Sequence, residues 1–345
     1  MRVGILTGGG DCPGLNAVLR AFVLHGTSHF GFEVRGYLDG WKGILEGRSR
    51  PLRPGDVRDL VSVGGTMLGT SRTNPAKREG GFDAVARRWR EDGLEVLVVV
   101  GGDDTLGVAH RLSETGLPVI GVPKTIDNDL SATDYTFGFD SAVNVAMEAV
   151  DRLRTTAASH HRVLVCEVMG RYAGWIAAHV GLAAGAHVTL LPEFAIDLDE
   201  ACHKVRRRRE AGLGYSLVVV AEGAQRPELT GGGLATLGET TDAFGHAQLG
   251  GIGEWLAKAV EAGTGAETRS VVLGHVQRGG SPTAFDRVLG TRFGYAAAAL
   301  AARREGGKMV ALRGTDVVAV PLAEGVSALK TVGEDLYRVV RDLET

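Results

Sequence analysis

The chain has 345 residues, 44% hydrophobic and 23% charged, with a formal net charge of −3. That length reads as two medium-sized domains, the composition supplies a large core, and the charge provides no broad field to draw in nucleic acid or an anionic membrane surface. Cys12, Cys166 and Cys202 are odd in number, far apart and without a Cys-x-x-Cys pair, which argues against a disulfide framework or a zinc site and fits a reducing cytoplasm.

The opening "MRVGILTGGG" lacks the basic and long apolar regions of a signal peptide, so none is expected. "VGIL" then begins a series of short apolar runs that end in glycine-containing loops. It precedes "TGGGDCPG"; "VLVVV" precedes "GGDDT", "VIGVP" precedes "KTIDND", "RVLVCEV" precedes "MGRYAG", and "YSLVVVA" precedes "EGA". Stretches of helical length lie between them, such as Leu15 to Ser28, Phe82 to Asp92, Ala142 to Thr155 and Ala201 to Ala211. This alternation predicts two α/β halves with mostly parallel sheets covered by helices on both faces. In such sheets ligands gather outside the carboxyl ends of the strands, where the loops here are rich in Gly, Asp and Arg.

Ala177 to Leu191 is interrupted by His179, His187 and two glycines, so no membrane span is expected. The four arginines at 206–209 spread around a helix and predict a solvated face. Residues 223–253 are rich in glycine and threonine and predict a long loop.

"TGGGDCPGLN", residues 7–16, joins a strand to a helix, so it reads as a phosphate-binding loop or as a simple tight turn. It is not a Walker A sequence, because Leu15 stands where lysine is needed, nor is it the dinucleotide fingerprint. "PKTIDNDL", residues 123–130, packs a cation, a hydroxyl and two carboxylates after a strand. It offers a metal-linked acid and a general base, or alternatively carboxylates that only cap and turn the chain. In "EVMGRYAGW", Arg171 presents a planar fork suited to phosphate. His275, flanked by Arg269 and Arg278, reads as part of a sugar-phosphate pocket rather than as an isolated structural histidine.

The ordered set "GGGDCPGLN", "GGTMLGTSR", "GGDDT", "PKTIDND", "ASHHR", "EVMGRYAG", "AEG" and "GHVQRGGSPTAFDR" resembles the phosphofructokinase family of bacterial and pyrophosphate-using type, over essentially the whole chain. The resemblance implies two Rossmann-like domains. One, of 1–138 plus about 282–330, would take the phosphoryl donor; the other, of 139–281 plus about 331–345, would take the sugar phosphate. It implies donor contacts from Gly10, Arg72, Gly102, Asp104, Thr105 and Lys124, and magnesium held by Asp103 with Asp129 near the metal or its waters. Asp127 would be the general base toward the 1-hydroxyl of fructose 6-phosphate, with Thr125 and Arg171 steadying the transferring group. Met169, Gly170, Glu222, His275 and Arg278 would line the sugar site. Arg162 and Arg269 are similar to family arginines that reach the sugar 6-phosphate of a neighbouring subunit, which implies a homodimer or homotetramer.

ATP-using members of the family typically carry glycine at the position of Asp104, and often at that of Lys124. A second carboxylate beside the metal ligand meets the inner phosphate of a nucleotide with like charge. Two unit charges about 4 Å apart cost roughly 4 kcal/mol at an effective dielectric near 20, about three decades in affinity. Pyrophosphate is therefore the expected donor, with an ATP-dependent 6-phosphofructokinase as the alternative.

Overall fold

Every residue of Val96–Gly101 is buried, as the central strand of a parallel sheet with helices above and below requires. In the computed structural model, which describes residues 1–225, 236–241 and 247–344, this strand lies inside a mostly parallel sheet. The chain forms two compact units. One consists of Met1–Ser141 with Arg278–Leu329; the other takes up the chain at Ala142, runs to Gln277 and resumes at Lys330.

The first unit holds β1 (Arg2–Thr7), β2 (Glu33–Tyr37), β3 (Ser49–Leu52), β4 (Val96–Gly101), β5 (Val119–Thr125) and β6 (Phe137–Gly138). The second holds β7 (Val163–Val168), β8 (Val188–Leu190), β9 (Ser216–Ala221), β10 (Thr236–Thr241), β11 (Ala247–Leu249) and β12 (Thr268–Val272). The chain then returns to the first for β13 (Lys308–Arg313) and β14 (Asp316–Pro321).

In the first sheet the order is β14-β13-β5-β4-β1-β2-β3, with the short β6 beside β5. Pairing is parallel from β13 through β2 and antiparallel only at the two edges, β13 with β14 and β2 with β3. The chain moves from β1 outward to β2 and later returns to place β4 on the other side of β1. The strand order therefore reverses there, and the loops after β1 and β4 open at the switch point.

Leu6, Leu97 and Val99 share an apolar cluster with Trp41, Val85, Trp89, Leu106 and Leu112, which come from helices on one face. On the alternate positions Val3, Ile5, Val98 and Val100 are fully buried as well. The helix Ala284–Ala302 packs on β4 and β5 and against the helix Leu15–Phe30.

The second unit's main sheet, β12-β7-β9-β8, is parallel throughout. Val163, Val165, Val218 and Val220 pack with Val205 of the helix Leu198–Glu210 and with Leu256 and Val260 of the helix Ile252–Thr264.

The α/β reading therefore holds, with two departures. Arg206, Arg207 and Arg209 are exposed as expected, but Arg208 is buried, donating from Nε to the Tyr215 carbonyl at 3.3 Å with its guanidinium 5.8 Å from the Tyr215 ring centroid. Within the stretch expected to be a loop, β10 and β11 pair antiparallel, while residues 226–235 and 242–246 lie outside the described residues. The apolar stretch from Ala177 belongs to the nine-residue helix Trp175–Ala183 followed by β8. Among the described residues no helix is long and apolar enough to cross a membrane.

Candidate active site

In the first unit, the glycine loop after β1 is held mainly through its own backbone. The Gly8 N–H donates to the Val100 carbonyl at 2.9 Å and the Gly9 N–H to the Ser71 carbonyl at 3.3 Å. These two amides are therefore engaged within the protein, which narrows any anion cradle to Gly10 and the residues after it. Gly9, at φ 78°, sits in the left-handed region that favours glycine. Two cations engage the outward carbonyls: Lys124 Nζ donates to the Gly10 oxygen at 2.5 Å, and Arg278 Nη1 donates to the Asp11 oxygen at 3.3 Å. A side chain at position 10 would begin only 2.5 Å from Arg278 Nη1, so the close approach of that guanidinium depends on glycine.

The loop 64–72 is stitched to the same place. Thr7 Oγ1 donates to the Gly69 carbonyl at 2.9 Å, Thr70 Oγ1 to the Gly9 carbonyl at 2.6 Å, and Ser71 Oγ to the Asp39 carbonyl at 2.7 Å. Arg72 follows directly, with its side chain exposed.

At the exit of β4, Gly102 is the N-cap of the helix Asp103–Glu114, which connects β4 to β5. Asp103 and Asp104 occupy its first turn, where carboxylates are favoured by the helix dipole, at about 0.3–1 kcal/mol each near the surface. The adjacent acids thus have a structural justification independent of any ligand. Asp103 is exposed and Asp104 half-buried. Thr105, 1% exposed, fills the space beside Gly8, whose side chain would begin 2.7 Å from Thr105 Cγ2.

The exit of β5 carries Lys124, Thr125, Asp127 and Asp129. Lys124 is 4% exposed. Burial pulls its pKa below the ordinary lysine value, the Arg278 charge acts in the same direction, and Asp127 and Asp129 oppose it. The Asp127 N–H donates to Thr125 Oγ1 at 3.0 Å, and Asn128, at φ 51°, turns the chain between the two acids. Burial, then the charge of Asp127, pushes the Asp129 carboxyl up to about 7; Asp103 adds to this, while hydrogen bonds from the Asp129 N–H and the Thr125 hydroxyl act against it. Cys12, fully buried beneath the loop, has a thiol pushed up to about 12 by burial and is chemically quiet.

In the second unit the exits of β7, β9 and β12 are tied together by backbone bonds. The Glu222 N–H donates to the Val168 carbonyl at 2.8 Å, Gly223 N–H to the Gly170 carbonyl at 3.0 Å, and Leu273 N–H to the Glu167 carbonyl at 3.0 Å. The Met169 N–H donates to Gln277 Oε1 at 3.0 Å. Gly170 adopts φ 136°, a conformation strained for other residues. Met169, Gly170, Arg171 and Glu222 are thus gathered at one end of this sheet, and His275 sits exposed on the turn after β12. Arg171 is half-buried, its guanidinium carbon 5.9 Å from the Tyr172 ring centroid.

Arg162 and Arg269 lie at the opposite end. Arg162 immediately precedes β7, and Arg269 is the second residue of β12. Arg162 Nε and Arg269 Nη2 converge on one carboxylate, Glu267, at 2.8 and 2.7 Å. A six-residue strand spans about 20 Å at roughly 3.3 Å per residue, so within one chain the two arginines stand apart from Met169, Gly170, Arg171, Glu222 and His275.

Sequence reasoning also passed over Gln277 and Glu193. Gln277 is fully buried and lies inside "GHVQRGG". Glu193, whose Oε1 accepts from the N–H groups of Gly174 and Val332, carries no local sequence signal, because its partners are 19 and 139 residues away.

A glycine loop with a buried ammonium on its carbonyl, and acids at the exits of neighbouring parallel strands, defines an α/β protein of the phosphoryl-transfer class. The phosphofructokinase family model matches residues 2–301, and the chain belongs to that family. The chain is 56% identical to the pyrophosphate–fructose 6-phosphate 1-phosphotransferase of Amycolatopsis methanolica over 98% of each chain. It is 51% identical to ATP-dependent 6-phosphofructokinase 3 of Streptomyces coelicolor, again over 98% of each. Among solved structures, phosphofructokinase from Saccharomyces cerevisiae superposes with a TM-score of 0.81 at 30% identity, covering 99% of this chain and 47% of that one.

Proposed function

We propose that this protein transfers a phosphoryl group reversibly from inorganic pyrophosphate to the 1-hydroxyl of fructose 6-phosphate, giving fructose 1,6-bisphosphate and phosphate. The observation that carries the reading is the cluster at the exit of β5. There a buried Lys124 holds the Gly10 carbonyl at 2.5 Å, and Asp127 and Asp129 follow on the same strand exit. Phosphoryl transfer asks the protein for position and neutralised charge more than for covalent chemistry, and these residues meet that need.

In this reading the first unit takes the donor and the second the sugar phosphate, with functional domains of 1–138 plus about 282–330 and 139–281 plus about 331–345. Gly10, Arg72, Gly102, Asp104, Thr105 and Lys124 receive the diphosphate. Asp127 accepts the proton of the 1-hydroxyl as the new P–O bond forms and the bridging P–O bond of pyrophosphate breaks. Thr125 and Arg171 steady the moving group, while Met169, Gly170, Glu222, His275 and Arg278 orient the sugar.

The donor set suits magnesium. Among the described residues there is no group of three or more His, Cys, Asp or Glu side chains placed to hold a metal. Magnesium is commonly bound through one or two carboxylates together with phosphate oxygens, and Asp103 with Asp129 would serve. When bound, the ion would neutralise donor charge.

Arg162 and Arg269 reach the sugar 6-phosphate of a neighbouring copy, which makes the working form at least a homodimer. Their place toward the amino ends of β7 and β12, about 20 Å from the loop after β7 for Arg162 and about 13 Å from the turn after β12 for Arg269, supports this arrangement. The cytoplasm is the proposed location.

A coupled assay with fructose 6-phosphate and Mg²⁺, supplied with either pyrophosphate or ATP, tests the proposal. Turnover with pyrophosphate is expected. Turnover with ATP alone would replace the donor, and no turnover with either would overturn the reading.

A further inference from the structure

The loop Met169–Gly174 is pinned at both ends by side chains from distant parts of the second unit. At its start, the Met169 N–H donates to Gln277 Oε1 at 3.0 Å. At its end, the Gly174 N–H donates to Glu193 Oε1 at 2.8 Å. The same oxygen accepts the Val332 N–H at 2.9 Å, so one carboxylate oxygen joins the loop to the C-terminal segment. One residue further on, Trp175 Nε1 donates to the Lys330 carbonyl at 2.8 Å, and the Lys330 ammonium lies 5.5 Å from the Trp175 ring centroid.

The approach is close. A side chain at position 174 would begin 2.8 Å from Glu193 Oε2, so the carboxylate fits only because that residue is glycine. Arg171 sits midway between the two pinned amides. A loop fixed at both ends offers its guanidinium in a narrow range of positions, which lowers the ordering cost when a phosphate arrives.

We infer that Glu193 is a positioning residue for the sugar-phosphate site: it holds the loop Met169–Gly174 against the segment Lys330–Val332 and thereby sets Arg171, without touching substrate. The role requires an acceptor at Oε1 rather than a negative charge, since both partners are neutral backbone N–H groups. The inference rests on the reading of this loop as part of the sugar site.

The test compares Glu193→Ala and Glu193→Gln with the parent enzyme, varying fructose 6-phosphate at saturating pyrophosphate and then the reverse. Glu193→Ala is expected to raise KM for fructose 6-phosphate by about tenfold and to leave KM for pyrophosphate within about twofold. Glu193→Gln, which keeps an amide oxygen in place, is expected to restore the sugar KM to within about twofold of the parent. Trp175→Phe removes the indole donor to Lys330 and shrinks the ring beside its ammonium, and should by itself raise the sugar KM by about threefold, a result readable even if the alanine variant does not fold. Three results would overturn the inference: an unchanged sugar KM in folded Glu193→Ala, or in Trp175→Phe where the alanine variant does not fold; an equal rise in both KM values; or a glutamine variant as impaired as the alanine one. Parent enzyme that does not turn over fructose 6-phosphate would instead defeat the functional reading beneath it.

Discussion

The loops at the carboxyl ends of the two sheets are built by different means. In the first unit charged groups are added to the backbone and hydroxyl bonds: buried Lys124 on the Gly10 carbonyl, Arg278 on the Asp11 carbonyl, and acids standing at the exits of β4 and β5. In the second the loops are fixed by neutral backbone bonds, from Glu222 to Val168, Gly223 to Gly170 and Leu273 to Glu167, with Gln277 and Glu193 closing the ends. A small, highly charged donor calls for charges already in place, because ions that must reorganise give back much of their attraction. A sugar phosphate is larger and mostly neutral, and a rigid neutral frame carrying an arginine suits it.

This contrast predicts a graded series of effects. The largest is expected at Asp127. Asp127→Asn keeps the shape but removes the proposed base, and steady-state assays should show kcat lower by about 10³-fold with both KM values nearly unchanged. A matching loss in Asp129→Asn and none in Asp127→Asn would transfer the base to the other acid.

Next come the arginines at the far end of the second sheet. Arg162→Ala or Arg269→Ala should raise KM for fructose 6-phosphate by about tenfold or more while sparing pyrophosphate. If they serve a neighbour's site, mixed oligomers of Arg162→Ala and Asp127→Asn chains should show, at fructose 6-phosphate well below KM, more activity than either variant shows alone. Absence of recovery after verified subunit exchange would return both arginines to a structural role with Glu267.

The smallest effect concerns stability and separates the frame from the site. His187 is buried; its Nδ1 accepts the Leu217 N–H at 2.8 Å, and burial, with Arg208 and Arg154 nearby, lowers its pKa to about 4. The unfolded chain takes up this proton near pH 6.5, the folded chain only near 4. The contribution is therefore complete above about pH 6.5 and is lost as pH falls toward 4, by about 2 kcal/mol once partial solvent screening is allowed for. Urea unfolding from pH 7.5 to 4.5 should show this slope in the parent and a shallower one in His187→Asn.

The central strands were legible because a strand buried on both faces must be a continuous apolar run, and the loops at their ends must carry glycine and the chemistry. The edges were not. β14 has only Val320 buried and pairs antiparallel, so it has neither the buried run nor the glycine-rich exit of a central strand. Arg208 looked like three exposed neighbours because sequence shows composition before it shows which face of a helix turns inward. The site divides in the same way. Lys124, Asp127 and Asp129 are adjacent in sequence and stay together, whereas Glu193 becomes meaningful only when folding brings Gly174 and Val332 to it. Arg162 and Met169 lie in the same short stretch of sequence, yet an extended strand puts them at opposite ends of a sheet.

Asp104, beside the proposed metal ligand Asp103, is expected to restrict the donor to a two-phosphate molecule. The direct measurement is kcat/KM for pyrophosphate and for ATP in the parent and in Asp104→Gly. The parent should favour pyrophosphate strongly, and in the variant the use of ATP should rise by about 10²-fold or more. A variant that gains no ATP activity, or a parent that already prefers ATP, would contradict that restriction.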